Sequence, residues 1–176
     1  MSVRAPTPAG QDEIVSLCAF LVGAESYVLD LRRIRQVLKP LRVTPVPRGP
    51  AHLEGVIQLR GEVIPVIDLR KRLGAPAPPP GPLARLLITW VGRRQIALIV
   101  DRVTGVLRLP RSQLTAAPQL WGVENRFFLG VCGQGEDLKL LLNIKALLSS
   151  DLPVEPIDRG LLLPESAPPR SSKEGA

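Results

Sequence analysis

The sequence predicts an all-β fold built from two similar small units. Nineteen prolines and fifteen glycines in 176 residues cut the chain into short segments, which favours many strands and turns over long helices. Apolar residues make up 45% and aromatics only 3%, so the interior is built from Val, Leu and Ile, which suit a pleated, half-buried surface. The two sides of Ala75-Pro76-Ala77-Pro78-Pro79-Pro80-Gly81-Pro82 also resemble each other at a constant offset of 69 positions, without a gap. Leu17 falls on Leu86, Val22 on Val91, Gly23 on Gly92 and Leu29 on Leu98; Arg33 falls on Arg102, Ile34 on Val103, Val37 on Val106, Leu38 on Leu107 and Lys39 on Arg108. The paired glycines and the shared Arg-Ile/Val-x-x-Val-Leu run indicate an internal duplication.

Residues 1–13 are polar and carry Pro and Gly, so order is expected to begin near Ile14. Each repeat reads as strand, turn at Gly23 or Gly92, strand, then apolar residues three apart. Leu31 to Leu38 is read as a strand end or one to two helical turns. Leu53 to Leu69 is a hairpin of two β-branched strands meeting at Arg60-Gly61-Glu62, where Gly61 supplies the positive φ of a tight reversal. Pro65 cannot donate to a ladder and places its strand at an edge or a bulge. Asp68 to Leu73 has the marks of a short helix, with Asp68 as N-cap and Gly74 as stop. The proline run reads as a stiff connector. Arg85 to Trp90 and Gln95 to Asp101 are apolar strands. Phe127 to Cys132 and Asp137 to Leu142 form a hairpin around Gly133-Gln134-Gly135, and Asn143 caps a closing helix to Ser149. From 151 to 176 the chain turns to Pro, Ser, Glu and Arg and reads as a flexible tail with an apolar patch at Leu161-Leu162-Leu163.

The net charge of +7 is uneven: residues 14–150 carry 19 basic and 9 acidic side chains. A basic body suits an acidic partner surface, a membrane surface or nucleic acid. Cys18 and Cys132 lie in apolar surroundings and read as buried free thiols rather than a disulfide. No apolar run approaches the ~20 residues of a membrane span, and 1–13 lacks the apolar centre of a signal peptide. The chain is expected to be cytoplasmic, without direct membrane insertion.

Catalytic chemistry is poorly represented. His52 is the only histidine and sits in a turn. No Cys/His cluster has zinc spacing, and there is no phosphate-binding glycine loop. Asp30, Asp68 and Asp101 each follow an apolar run and read as caps or turn formers. No catalytic residue, metal or cofactor is expected. The six aromatics, Phe20, Tyr27, Trp90, Trp121, Phe127 and Phe128, do not alternate with basic residues as a base-stacking strand requires, and Arg70-Lys71-Arg72 reads as a solvated helix face. A basic small-barrel nucleic-acid binder is the weaker alternative. An interaction module fits better, with Ile34, Val37, Val103 and Val106 at matching places in the repeats as core or as a groove. Arg60, five donors on a rigid tip, is either a recognition element or one more surface arginine.

Four segments, in this order and spacing, carry a resemblance: Gly55-Val56-Ile57-Gln58-Leu59-Arg60-Gly61, Ile64-Pro65-Val66-Ile67-Asp68-Leu69-Arg70, Leu98-Ile99-Val100-Asp101-Arg102-Val103, and Leu140 to Leu148. The chain resembles CheW, the coupling proteins of bacterial chemosensory arrays, over about Ile14 to Ser150. The resemblance implies two five-stranded SH3-like barrels packed on a shared hydrophobic core with few short helices. The first barrel is expected at about 14–75 and the second at about 83–150, with 76–82 as connector and intertwining of the two left open. It implies a non-catalytic adaptor joining methyl-accepting chemotaxis receptors to the histidine kinase CheA at membrane-associated arrays. A CheW-like module serving a non-flagellar pathway such as a type IV pilus system is the alternative. The receptor's signalling tip would contact Ile34, Val37, Arg60, Val103 and Val106, and the kinase's regulatory domain Leu86 and Ala97. Gln36 stands where the family commonly has Glu, and Gln58 where it commonly has Asn.

Overall fold

The computed structural model describes residues 12–116 and 125–149, so 1–11 of the N-terminal lead-in, Trp121 and the Leu161-Leu162-Leu163 patch lie outside the described residues. Among the described residues, eleven strands form two sheets. The first contains β1 (Ile14–Val22), β2 (Glu25–Asp30), β8 (Arg102–Pro110), β9 (Thr115–Ala116), β10 (Phe128–Cys132) and β11 (Lys139–Leu142), in the order β8-β1-β2-β11-β10-β9. The second contains β3 (Ile34–Leu38), β4 (Leu53–Leu59), β5 (Glu62–Asp68), β6 (Arg85–Val91) and β7 (Arg94–Val100), in the order β3-β6-β7-β5-β4. Helices are short: α1 (Leu69–Arg72), α2 (Ile144–Leu148) and single 3-10 turns.

The sheets do not divide at the proline connector. Each repeat runs hairpin, single strand, hairpin, short helix. The first hairpin of one repeat, β1–β2 or β6–β7, pairs with the single strand and second hairpin of the other. The chain therefore crosses between sheets after Asp30 and again after Asp101, and the connector joins α1 to β6 within the second sheet's half. Composition located the prolines but could not say which strands pair. The duplication itself is retained in the register: Leu17 opposes Asp30 in the first sheet, and Leu86 opposes Ile99 in the second, 69 positions on. Gly23 and Gly92 both turn at φ 61°. The same parallel join recurs too, with Val28 beside Leu141 and Ala97 beside Val66.

Each sheet gains a closing contact from the segment that follows its single strand. Beyond β3, Thr44 exchanges two backbone hydrogen bonds with Val56, at 2.8 and 2.9 Å. In the other half Thr115 pairs with Val131. Both closures need a glycine beside them. A Cβ on Gly55, whose φ is +141°, would lie 2.0 Å from the Thr44 carbonyl oxygen; one on Gly130 would lie 2.5 Å from that of Thr115.

The main core lies between the sheets. Phe20, Tyr27 and Leu29 of the first meet Ile67, Leu87, Leu98 and Val100 of the second, with Leu142, Ile144, Leu147 and Leu148 closing one side. Smaller clusters fill each curl, one around Ile57, Ile64, Leu86 and Ala97, the other around Leu17, Val28, Cys132 and Leu141. Each fully buried Leu or Ile contributes roughly 1.5–3 kcal/mol. Phe20, Tyr27 and Phe128 stack in series at 6.3 and 6.5 Å between centroids, inside the core where no base could reach them.

Local chemistry explains the ends of elements. Asp68 caps α1, its Oδ1 accepting from the Arg70 N–H at 3.0 Å, and Gly74 ends the helix at φ 74°. Asn143 caps α2 through the Ala146 N–H. Residues 31–38 are both things expected of them, a 3-10 turn and then β3. Pro65 is not in an edge strand. β5 is interior, but its ladder to β7 begins only at Val66, so the missing N–H costs no hydrogen bond there.

Arg70 is also not solvated: its side chain is 2% exposed. Its Nη2 and Nε donate to Asp68 at 2.7 and 2.9 Å, and Nη1 donates to Asp101 at 3.2 Å and to the Pro78 carbonyl at 2.8 Å. Asp101 in turn accepts from the Gly23 N–H at 2.7 Å. This set of bonds ties helix, connector and crossover to the tip of β1–β2. Hydrogen bonding to Asp68 raises the Arg70 pKa further, so it is cationic at every working pH.

Two stability measurements test this account. Gly55→Ala should cost about 3 kcal/mol or more in urea unfolding, from clash and backbone strain together. Gly81→Ala, with open space around it, should stay within about 0.5 kcal/mol. Arg70→Met should cost about 3–5 kcal/mol, because Asp68 is left buried without its partner; Asp68→Asn combined with Arg70→Met should recover much of that loss. A double variant as unstable as the sum of the two single ones would contradict the pairing.

Candidate functional site

The β4–β5 hairpin turns in two residues. Leu59 opposes Glu62, and Arg60 and Gly61 both have positive φ, 52° and 82°. That is the geometry whose twist matches the flanking strands. The sequence reading assigned positive φ to Gly61 alone; Arg60 shares it, an unfavourable conformation for a residue with a Cβ.

The tip is braced from below, but not by Arg60. Glu62 accepts a hydrogen bond from the Gln95 side chain on β7 and lies 3.7 Å from Arg35 Nη1 on β3. Arg35 also sits over the Trp90 ring, 5.8 Å from its centroid. Arg60 lines a small cleft with Arg35, Gln36, Leu59, Glu62 and Gln95. Among the described residues its guanidinium has no ion pair or hydrogen bond. A strained backbone therefore presents an uncommitted five-donor fork at an exposed tip. Glu62, which the sequence reading passed over, does the bracing. Its signal was its place opposite Leu59 as the first residue of β5.

The four repeat-matched apolar residues lie on β3 and β8, the outermost strands of their respective sheets. Ile34 and Val103 are half-buried and pack against the core between the sheets. Val37 and Val106 turn outward, 42% and 51% exposed. Leu86 and Ala97 do not form a surface. Both are 0% exposed and hold the core of the second sheet with Ile57, Ile64 and Val66. Their strands are buried on both faces, so a continuous apolar run gave no inward–outward signal.

Burial pushes the Cys18 and Cys132 thiols above the ordinary thiol range, which disfavours the nucleophilic thiolate. Both are free. His52 sits half-buried in its turn, its carbonyl accepting from the Asp68 N–H at 2.8 Å.

Comparison with known proteins gives one consistent result. Residues 16–152 match the CheW-like domain family. The chain is 32% identical over 147 residues to the chemotaxis protein CheW of Treponema pallidum, covering 81% of this chain and 86% of that one. It is 27% identical over 140 residues to the chemotaxis protein CheW of Helicobacter pylori, covering 80% and 85%. The crystal structure of the scaffolding protein TtCheW from Thermoanaerobacter tengcongensis superimposes with a TM-score of 0.73 at 27% identity, covering 77% of this chain and 93% of that one.

The turn makes a direct prediction. Arg60→Gly removes the strain of a left-handed non-glycine residue, partly offset by the freer unfolded chain. Its urea midpoint should equal or slightly exceed that of the wild type, by at most about 1 kcal/mol. A clear loss of stability would show that the guanidinium does hold the hairpin.

Proposed function

Because the chain belongs to the CheW-like family, we propose that it is an adaptor coupling methyl-accepting chemotaxis receptors to the histidine kinase CheA. The role is non-catalytic: the protein positions two partners and does no chemistry on either. It acts in the cytoplasm, at receptor arrays beneath the membrane. The observation that carries the reading is the uncommitted Arg60 guanidinium on a strained two-residue tip. A conformation of this kind persists only where the surrounding structure holds it, and such residues concentrate at functional sites. The fork suits a carboxylate or a run of carbonyl oxygens on a partner.

The receptor's signalling tip is assigned to Ile34, Val37, Arg60, Val103 and Val106. Val37 and Val106 offer exposed apolar contact on open strands, and Ile34 and Val103 continue that surface inward to the core. The buried positions of Leu86 and Ala97 leave the kinase contact to other residues.

Reconstitution tests the assignment. The full chain with receptor signalling tips and CheA should raise kinase activity above that of the kinase alone. Arg60→Glu should lower that gain about tenfold, as expected for reversing one charge-assisted contact, while its unfolding curve stays within about 0.5 kcal/mol of the wild type. Kinase activity indifferent to the wild-type chain with every receptor tried would sink the coupling role.

A further inference from the structure

The duplication has kept more than a core. β3 and β8 occupy equivalent places in the two repeats, and each presents an outward-facing valine, Val37 or Val106. Four positions before each valine is an exposed arginine, Arg33 or Arg102; two positions after it is an exposed cation, Lys39 or Arg108. No acidic residue falls within 33–39 or 102–108. Among the described residues, none of the four cations has an ion pair or hydrogen bond.

That contrasts with exposed cations nearby. Arg32 pairs with Asp30, Arg35 with Glu62, Lys71 with Glu54 and Arg111 with Glu13. Core packing explains why apolar residues recur at matching buried positions. It does not explain why the same solvent-facing pattern of cation, valine and cation recurs along both segments, with Arg33 and Lys39 just flanking β3 and Arg102 and Arg108 within β8, because a solvated surface constrains side-chain identity only weakly. Unpaired charges flanking an exposed apolar residue form the polar rim and dry centre of a protein contact.

We propose that the two strands bind one acidic protein partner in two equivalent contacts. In each, Val37 or Val106 meets an apolar residue and the flanking cations meet carboxylates. The inference rests on the coupling reading and specifies its partner: a receptor tip that offers carboxylates beside an apolar residue twice, in related settings. The body's excess of positive charge adds steering to the encounter.

The test measures binding of the full chain to a receptor signalling-tip fragment across a range of salt. Arg33→Glu and Arg102→Glu should each weaken binding about fivefold, by similar factors. Together they should act multiplicatively and flatten the salt dependence. All four cations are exposed and none makes an ion pair or hydrogen bond among the described residues, so the variants should remain folded. Lys145→Glu, exposed on α2, should leave binding unchanged. An equal loss with Lys145→Glu would reduce the effect to overall charge and overturn the proposal. So would loss on one strand only. Reversals that leave binding intact but promote aggregation would assign the cations to guarding open strand edges, with the coupling role untouched. A wild-type chain that binds no receptor fragment, yet binds an oligonucleotide through these cations, would overturn both readings.

Discussion

A two-stranded hairpin cannot bury its own apolar face in water, and here neither first hairpin is completed by its own repeat. β1–β2 finds its partners in β8 and β11, and β6–β7 finds its in β3 and β5. Everything else follows from that exchange. The core between the sheets is made of residues from both repeats, so neither curl is an independent unit. The open strands β3 and β8 are the segments on which the chain leaves one sheet to complete the other. Glycine is required at Gly55 and Gly130 because each curl must bring its last segment against backbone.

The crossover explains the most costly feature of the interior. Arg70 and Asp68 are both buried, an arrangement whose desolvation can match or exceed its Coulombic gain. Its value here is geometric. Arg70 reaches Asp68, Asp101 and the Pro78 carbonyl at once, and Asp101 holds the Gly23 turn. An apolar side chain of the same volume would pack, but it would not fix the connector and the crossover relative to the β1–β2 turn. The recognition surface is spared such fixing: Arg60, Arg33, Lys39, Arg102 and Arg108 make no ion pair or hydrogen bond among the described residues.

Local features were legible in the sequence because they are local. Asp68 and Asn143 announce their helices by capping chemistry. Gly23 and Gly92 announce their turns, and the 69-residue offset announces two units. Pairing was not legible, since strand propensity says that a segment is extended and nothing about its neighbour. Pro65 illustrates the gap: it forbids one hydrogen bond, and the fold meets that by starting a ladder one residue later. Leu86 and Ala97 illustrate another, because doubly buried strands carry no alternation. Arg70 looked like a surface charge until Asp101, 31 residues away, became its neighbour.

The exchange also sets a schedule for synthesis. β1 and β2 leave the ribosome first, yet β11, which pairs with β2, follows roughly 110 residues later. At ordinary elongation rates that interval is on the order of ten seconds. Until β8 and then β11 emerge, Leu17, Phe20 and Val28 belong to a sheet that is incomplete, whereas β3 to β7 can pair as soon as β7 emerges. The second sheet is thus the early platform, and the nascent N-terminal hairpin is the stretch a chaperone would have to hold.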